Sequence, residues 1–298
     1  KGTQGAVSAS IGYLEVNGGT FETVVCDNNH TSSVFYALYA AGEAGTVQCI
    51  IHDGTFKTAG NYTAVLIGND NTNGDGGINA DACSYIYGGT FLAPEGVSAV
   101  KVSPNTANSS VLYGGSYSML GETDALPYVA AECRTVEATE GGVSYVVQAR
   151  TEEDTDAVAK VGDKVYASLQ TAIDAAEGGT AVLLKDTAES ITVSGDRTVT
   201  LDLGGNTLTN TAGSHTITVV LGGRLTLEDS AGNGKVDNIS HAKAALFNNG
   251  TAVLNGGEYT RSAENGQSAE NNGGNSYYNL VNHGVMTIGE GVSVSQSG

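Results

Sequence analysis

Gly18-Gly19-Thr20-Phe21, Asp53-Gly54-Thr55-Phe56 and Gly88-Gly89-Thr90-Phe91 are three copies of one tetrapeptide. Their second glycines fall at 19, 54 and 89, a constant spacing of 35. A variant, Gly114-Gly115-Ser116-Tyr117, follows after a shorter step, and Gly256-Gly257-Glu258-Tyr259 repeats the motif far downstream. A fixed period of this size signals an architecture of stacked repeats, in which each repeat buries its apolar face only against its neighbours. A β-type run precedes each motif: Ile11–Val16, Val47–Ile51, Cys83–Tyr87 and Ser110–Tyr113. Further runs lie between motifs, at Val34–Tyr39, Thr63–Ile67 and Ser98–Val102. The glycine pair is read as a corner, because glycine accepts positive φ at no steric cost. Thr-Phe then opens the next strand, with the ring as the inward or stacking residue.

Two or three short strands per period, separated by Gly/Asn/Asp corners, describe one coil of a right-handed parallel β-helix. Each strand would pair with its equivalent one coil away, so that like residues stack in the core. A propeller blade or sandwich of similar period would need hairpins between polar-alternating arms, and these corners lack that Asn-Gly spacing.

Composition agrees with an all-β solenoid. Hydrophobic residues make up 40% and charged residues 15%, with 42 Gly and 3 Pro; a disordered acidic chain would be less apolar and more charged. The net charge is −19, from 13 basic and 32 acidic side chains. Residues 1–158 hold 5 basic and 18 acidic, and residues 159–298 hold 8 and 14. Such a surface repels nucleic acid and anionic membranes, which call for Lys/Arg clusters. It suits solubility in an extracellular medium or a divalent-cation requirement. No window approaches the roughly 20 apolar residues of a membrane span. The chain opens on Lys1 without a signal-peptide pattern, so it is read as a piece of a longer, wall-anchored protein.

The repeat pattern changes after Tyr117. Residues 1–125 are read as the last coils of a first β-helix. Residues 126–157 are read as a closing cap and an acidic linker, Thr151-Glu-Glu-Asp-Thr-Asp156. Residues 158–298 are read as a second β-helix. It opens on a hairpin around Gly162-Asp163 and one short capping α-helix. Ser168 is the expected N-cap; Leu169, Ala172, Ile173 and Ala176 form one apolar face, and Gly178-Gly179 ends the helix. β-Branched runs with Gly or Asn corners follow.

Val161–Asn210, with VGDKVYASLQTAIDAAEGGTAVLLKD and ITVSGDRTVTLDLGGNTLTN, resembles the entry segment of pectate-lyase-like right-handed β-helix domains. These occur in large surface proteins of Gram-positive, often gut-dwelling, bacteria. Gly223–Val236, Leu246–Arg261 and Leu280–Ser295 resemble the coil repeats of that family, and Leu112–Val147 resembles the segment that ends such a helix. The resemblance implies the fold and an extracellular, cell-surface location. It implies little about activity, since the fold hosts lyases, hydrolases, adhesins and inert stalks alike.

The sequence nominates no catalytic residue. Pectate-lyase chemistry would need acids around Ca²⁺ with an Arg or Lys base, yet only Lys1, Lys57 and Lys101 occur through Gly121. Polygalacturonase chemistry would need paired carboxylates and a Gly-His-Gly; no Asp-Asp occurs, and Asn282-His283-Gly284 is the nearest approach. His30, His52, His215 and His241 are scattered, and no cofactor-binding residue is expected.

One loop carries a metal hypothesis. Asn71-Thr-Asn73-Gly-Asp75-Gly-Gly-Ile78-Asn79-Ala-Asp81 places oxygen donors at alternate positions with glycine at the sixth, as in a calcium loop. Asn71, Asn73, Asp75 and Asp81 are the candidate Ca²⁺ ligands. Against it stand Asn at the first position, Ala82 at the twelfth and no flanking helices, which leaves an ordinary Asn/Gly-rich loop as the competing reading.

Cys26, Cys49, Cys83 and Cys133 form no metal spacing. Cys49 and Cys83 sit at similar places in consecutive repeats, as stacked free thiols; a Cys26–Cys49 or Cys49–Cys83 bridge is the alternative.

The expected function is a non-enzymatic extracellular module, adhesin or stalk, whose partners are a host glycan, a surface protein or another copy of itself. Tyr36, Tyr39, Tyr277 and Tyr278 are candidates for stacking on sugars, against a role in an internal aromatic stack. The alternatives are a carbohydrate-active lyase or hydrolase and a phage tailspike or fibre segment. No nucleic acid and no membrane insertion are expected.

Overall fold

The computed structural model describes residues 5–24, 36–41, 47–59, 61–68, 83–103, 106, 108–211, 213–262 and 278–295. Strands dominate, with a single α-helix among the described residues, so the protein is all-β. Its contacts divide it into two compact units, Lys1–Ala149 and Arg150–Gly298; the division falls inside the segment 126–157.

The first unit is built on the 35-residue spacing. One parallel sheet runs Gly5–Ser8, Tyr36–Ala41, Val65–Gly68, Val100–Val102, so that Val7, Leu38, Val65 and Val100 form a column. The other carries the glycine motif, with Gly12–Glu22 beside Val47–Lys57, then Thr90–Leu92 and Gly115–Tyr117. Its partners are Thr20, Thr55, Thr90 and Ser116, and next to them Phe21, Phe56, Phe91 and Tyr117. The four rings form a ladder, with centroids 4.9, 5.0 and 4.9 Å apart and planes within 9° of parallel. Phe56, Phe91 and Tyr117 are fully buried. The spacing of the rings is the strand-to-strand distance of a sheet, so the backbone ladder itself brings them into contact.

The glycine pair acts differently from the corner expected of it. In the first two periods the strand runs unbroken through the pair as an 11-residue element, with register shifts around Asn17. Ile51 and Phe56 both face the core although five residues separate them, an odd step that plain alternation would put on opposite faces. Positive φ at Gly54 (+137°) makes that change of parity, as it does at Gly19 (+108°), Gly89 (+110°) and Gly115 (+108°). An antiparallel pair, Cys133–Glu137 with Tyr145–Ala149, continues this sheet beyond Gly115–Tyr117.

The second unit opens on the hairpin Ala159–Val161/Lys164–Tyr166. The helix Leu169–Ala175 follows, with Ser168 Oγ accepting from Thr171 N at 3.2 Å. Glu189, about twenty positions further on, also caps it: its carboxylate accepts from Ser168 Oγ (2.7 Å), Leu169 N (2.8 Å) and Gln170 N (3.0 Å). Leu169, Ala172, Ile173 and Ala176 are buried, as the periodicity requires.

The hairpin pairs antiparallel with Thr180–Leu183, and from there three sheets take one strand each from every period, all in parallel. Their inward columns are Ala181, Leu201, Leu227, Leu254, Ile288; Leu208, Val236, Tyr259, Val294; and Ile191, Ile217, Leu246, Leu280. The last column continues two residues on with polar rungs. Buried Asn248 donates from Nδ2 to Asn282 Oδ1 (2.7 Å) and Val285 O (2.9 Å), and its Oδ1 accepts from Gly250 N (3.1 Å). Asn248 is therefore satisfied on both sides of its amide, which is what allows a polar rung in the core.

Candidate functional site

Side chains on the outer face of the motif-bearing sheet are set by the same alternation. In Val47–Lys57 the residues Val47, Cys49 and Ile51 are buried, so Gln48, Ile50 and His52 point outward. Pairing places Glu15, Ile50 and Tyr85 side by side, and Ile51, Ile86 and Leu112 under them in the core. One position after that buried column stand His52, Tyr87 and Tyr113, each directly before its glycine motif.

These outward groups touch. The His52 and Tyr87 rings stack at 5.6 Å, Tyr87 meets Tyr113 at 5.5 Å, and Tyr85 lies 5.8 Å from Tyr87 and 6.0 Å from Tyr113. At the other end Glu15 accepts from Tyr13 Oη at 2.8 Å and pairs with His52 Nε2 at 3.1 Å. Tyr13 is 58% exposed and Tyr87 46%, whereas Tyr85 is half-buried and Tyr113 packs at the edge of the core, so the group forms an aromatic surface anchored on the core at one end. The hydrogen bond to Glu15 pushes the Tyr13 phenol above its ordinary range. Burial, then the hydrogen bond to Cys83, pushes Tyr85 up to about 12. Both stay neutral hydroxyl donors at physiological pH.

Gly88 and Gly114, the first glycines of the third and fourth motifs, hold the row together. A Cβ on Gly88 would lie 2.5 Å from His52 O, and one on Gly114 2.1 Å from Tyr87 O, so only glycine lets each strand approach the one before it this closely.

The residues singled out by sequence fall elsewhere. Asn71, Asn73, Asp75 and Asp81 lie outside the described residues, as do Tyr277, Cys26 and His30. Tyr36 and Tyr39 are half-buried and pack on each other at 5.5 Å; Tyr278 is exposed. Cys49, Cys83 and Cys133 are free thiols. Ser84, and not Cys83, continues the Cys49 rung, and its Oγ accepts from Cys49 N at 3.0 Å. Cys83 stands one position earlier and is half-exposed, because a one-residue offset in a strand turns a side chain to the other face. Burial pushes the Cys49 thiol up to about 12, which makes it an inert core residue.

Among the described residues no three His, Cys, Asp or Glu side chains converge on one point as metal ligands would. No described helix is long and apolar enough to cross a membrane. His283 meets Phe247 edge-on at 5.1 Å, and Phe247 stacks on His215 at 4.5 Å.

An open cleft of about 530 Å³ in the second unit is lined by Asp229, Asn233, Asn255 and Glu258 among others. Its carboxylates are engaged. Asp229 accepts from Gly205 N (2.8 Å) and Gly234 N (2.6 Å). Glu258 accepts from Ser295 Oγ (2.6 Å) and pairs with Lys235 (3.1 Å), which together hold its carboxyl below the usual range. They close the turns between strands, which leaves the Tyr85/Tyr87/Tyr113 surface as the candidate site. Repeat reading holds the signal that finds it: the residue before each glycine motif is Asn17, His52, Tyr87, Tyr113 in turn.

No protein-family model matches the chain, and neither a curated protein nor a solved structure shows significant similarity to it.

Proposed function

We propose that the chain forms two right-handed parallel β-helices in tandem, of the pectate-lyase-like kind, and serves as a non-enzymatic module of an extracellular surface protein, an adhesin or a binding stalk. The solenoid reading is supported by the inward columns of both units and by the one-strand-per-sheet order of the second. The binding role rests on one observation: a contiguous row of aromatic rings on the outer side of the sheet, His52 and Tyr87 exposed and Tyr85 and Tyr113 half-buried, over the fully buried Ile51, Ile86 and Leu112. Exposed aromatic patches of this kind mark interaction surfaces. The net charge of −19 suits a soluble extracellular surface and disfavours polyanionic partners.

The test is to immobilise the whole chain and challenge it with neutral polysaccharides, polygalacturonate and host mucin. Retention is followed together with the release of new reducing ends and unsaturated uronates. Retention without turnover is expected. Turnover would overturn the non-enzymatic reading, and a trimer by light scattering would favour a tailspike.

A further inference from the structure

The reading of the chain as a surface-binding module leaves its ligand open, and the inference below rests on that reading. The geometry points to a neutral polysaccharide chain, bound along the row Tyr113–Tyr87–His52 with Tyr85 beside it and Glu15 and Tyr13 at its end.

Chemistry selects the class. A sugar ring offers apolar C–H faces edged by hydroxyl groups, so its complement is an aromatic body with a polar tip and a fixed acceptor nearby. Tyrosine is such a residue, with an apolar ring and a hydroxyl that both donates and accepts. Three of the four contacting rings are tyrosines, and Tyr85 and Tyr13 remain protonated donors at neutral pH. Glu15 supplies the carboxylate, and its two oxygens already hold Tyr13 Oη and His52 Nε2, so it is oriented before any ligand arrives. Pre-oriented groups lose less freedom on binding.

Charge decides between neutral and acidic glycans. Glu15 is the fixed charge within the row, and residues 1–158 carry 18 acidic side chains against 5 basic. A uronate, sulfated or sialylated chain would meet like charge at the site and around it; a neutral one meets none.

Dimension decides between a single sugar and a chain. The ring row crosses three neighbouring strands, at His52, Tyr87 and Tyr113, and two strand-to-strand steps of about 4.8 Å extend it over about 10 Å, with Glu15 beyond His52 on the next strand. From His52 to Tyr113 it follows the in-register column Ile51, Ile86 and Leu112, and it is rigid because these three are fully buried. A linear ligand lying along the stacking direction fits such a row better than a compact one.

The experiment uses the whole chain with cello-, manno- and galacto-oligosaccharides as neutral probes, and oligogalacturonate and hyaluronan as charged comparators. Calorimetry is the readout of binding; tyrosine emission from the 14 tyrosines, compared between parent and Tyr87→Phe, supports it. At least one neutral probe is expected to bind saturably. Tyr87→Ala and Tyr113→Ala should each weaken it about tenfold or more, the scale of one lost aromatic stack. Tyr87→Phe should retain most of the affinity, and Tyr278→Ala should leave it unchanged. Because Tyr87 is half-exposed, its variants should melt with the parent chain, which separates lost binding from lost fold. Binding by no neutral probe, or binding indifferent to both alanine variants, overturns the inference. Retention of mucin or of a charged comparator alone also overturns it while leaving the surface-module reading intact. Cleavage of a bound probe overturns that reading itself.

Discussion

Replacing Phe91 by alanine tests whether the ring ladder of the first unit is a structural element or only apolar filling. Phe91 is fully buried between Phe56, at 5.0 Å and 4°, and Tyr117, at 4.9 Å and 9°. Removing a buried phenylalanine costs about 3–5 kcal/mol, and each ring contact adds roughly 0.5–1.5 kcal/mol beyond area. A loss of about 5 kcal/mol is therefore expected. Phe21 stands at the end of the same ladder, half-buried and with one described ring neighbour, so Phe21→Ala should cost about 2 kcal/mol. Phe91→Leu keeps the apolar contact but not the stacking, and should fall between the two. Native-state hydrogen exchange on the whole chain reads this unit by unit. Protection should drop in Val47–Lys57, Thr90–Leu92 and Gly115–Tyr117, because stacked repeats stabilise one another mainly through nearest neighbours. Protection within Arg150–Gly298 should be unchanged. Equal losses for Phe91→Ala and Phe21→Ala, or a wild-type Phe91→Leu, would refute the ladder.

Four further substitutions probe the elements that set the fold. Gly12 and Gly89 both hold positive φ, but a Cβ at Gly12 meets nothing within 4 Å, whereas at Gly89 it lies 3.0 Å from Gly54 O and 3.3 Å from the Phe91 ring. Gly12→Ala should cost about 1 kcal/mol and Gly89→Ala about 3 kcal/mol or more in thermal melts, and equal costs would show that strain in φ alone matters. Glu189→Ala removes the acceptor for Ser168 Oγ, Leu169 N and Gln170 N, and should cost about 2–3 kcal/mol with faster exchange confined to the helix Leu169–Ala175. Asp237 is nearly buried; burial pushes its carboxyl up, but the Ser262 and Thr260 hydroxyls and the Ser262 and Asn238 amides outweigh that and hold it below the usual range. A lowered folded pKa stabilises above the unfolded value, near 3.9, and that stability is lost as pH falls through the folded one. Acid melts of the second unit should therefore differ between parent and Asp237→Asn above about pH 4 and converge below it; a constant difference would exclude the linkage.

Much of this is legible in the chain, for a physical reason. A repeated residue in a parallel ladder meets its own copy, so the 35-residue step of Phe21, Phe56 and Phe91 predicts their contact directly. The helix is legible as well, since Ser168 and the spacing of Leu169, Ala172 and Ile173 are local signals. Glu189 is not, because its role as a cap depends on where the next strand passes. The stacking of Cys49 on Cys83 fails by one position: similar places in a repeat do not fix register, and Ser84 takes the rung. Tyr36 and Tyr39 attract notice as tyrosines in a strand-like run, yet exposure depends on which face that strand buries, and they are half-covered. Tyr85, Tyr87 and Tyr113 emerge only when the repeats are aligned on their glycines and the outward column is read down.

That column also explains how one glycine motif serves both the core and the surface. The second glycine turns the chain at positive φ so that the ring two residues on enters the core ladder. At Gly88 and Gly114 the first lacks a Cβ and lets the strands close up, which brings His52, Tyr87 and Tyr113 into one row. The inward ring is held on both sides: Tyr117 donates to Gly114 O at 2.6 Å, and Tyr259 makes the corresponding bond to Gly256 O at 3.4 Å. The outward position is the more exposed one: Tyr87 is 46% exposed, although Tyr113 is half-buried against the core. It is His52, Tyr87 and Tyr113 in the first unit and Asn255 at the motif of the second. At the exposed members, His52, Tyr87 and Asn255, substitution leaves the inward ladder untouched, so the surface chemistry of these repeats is free to differ while the fold stays the same. The outward position before the glycine motif is therefore where binding specificity can be written at the least cost in stability.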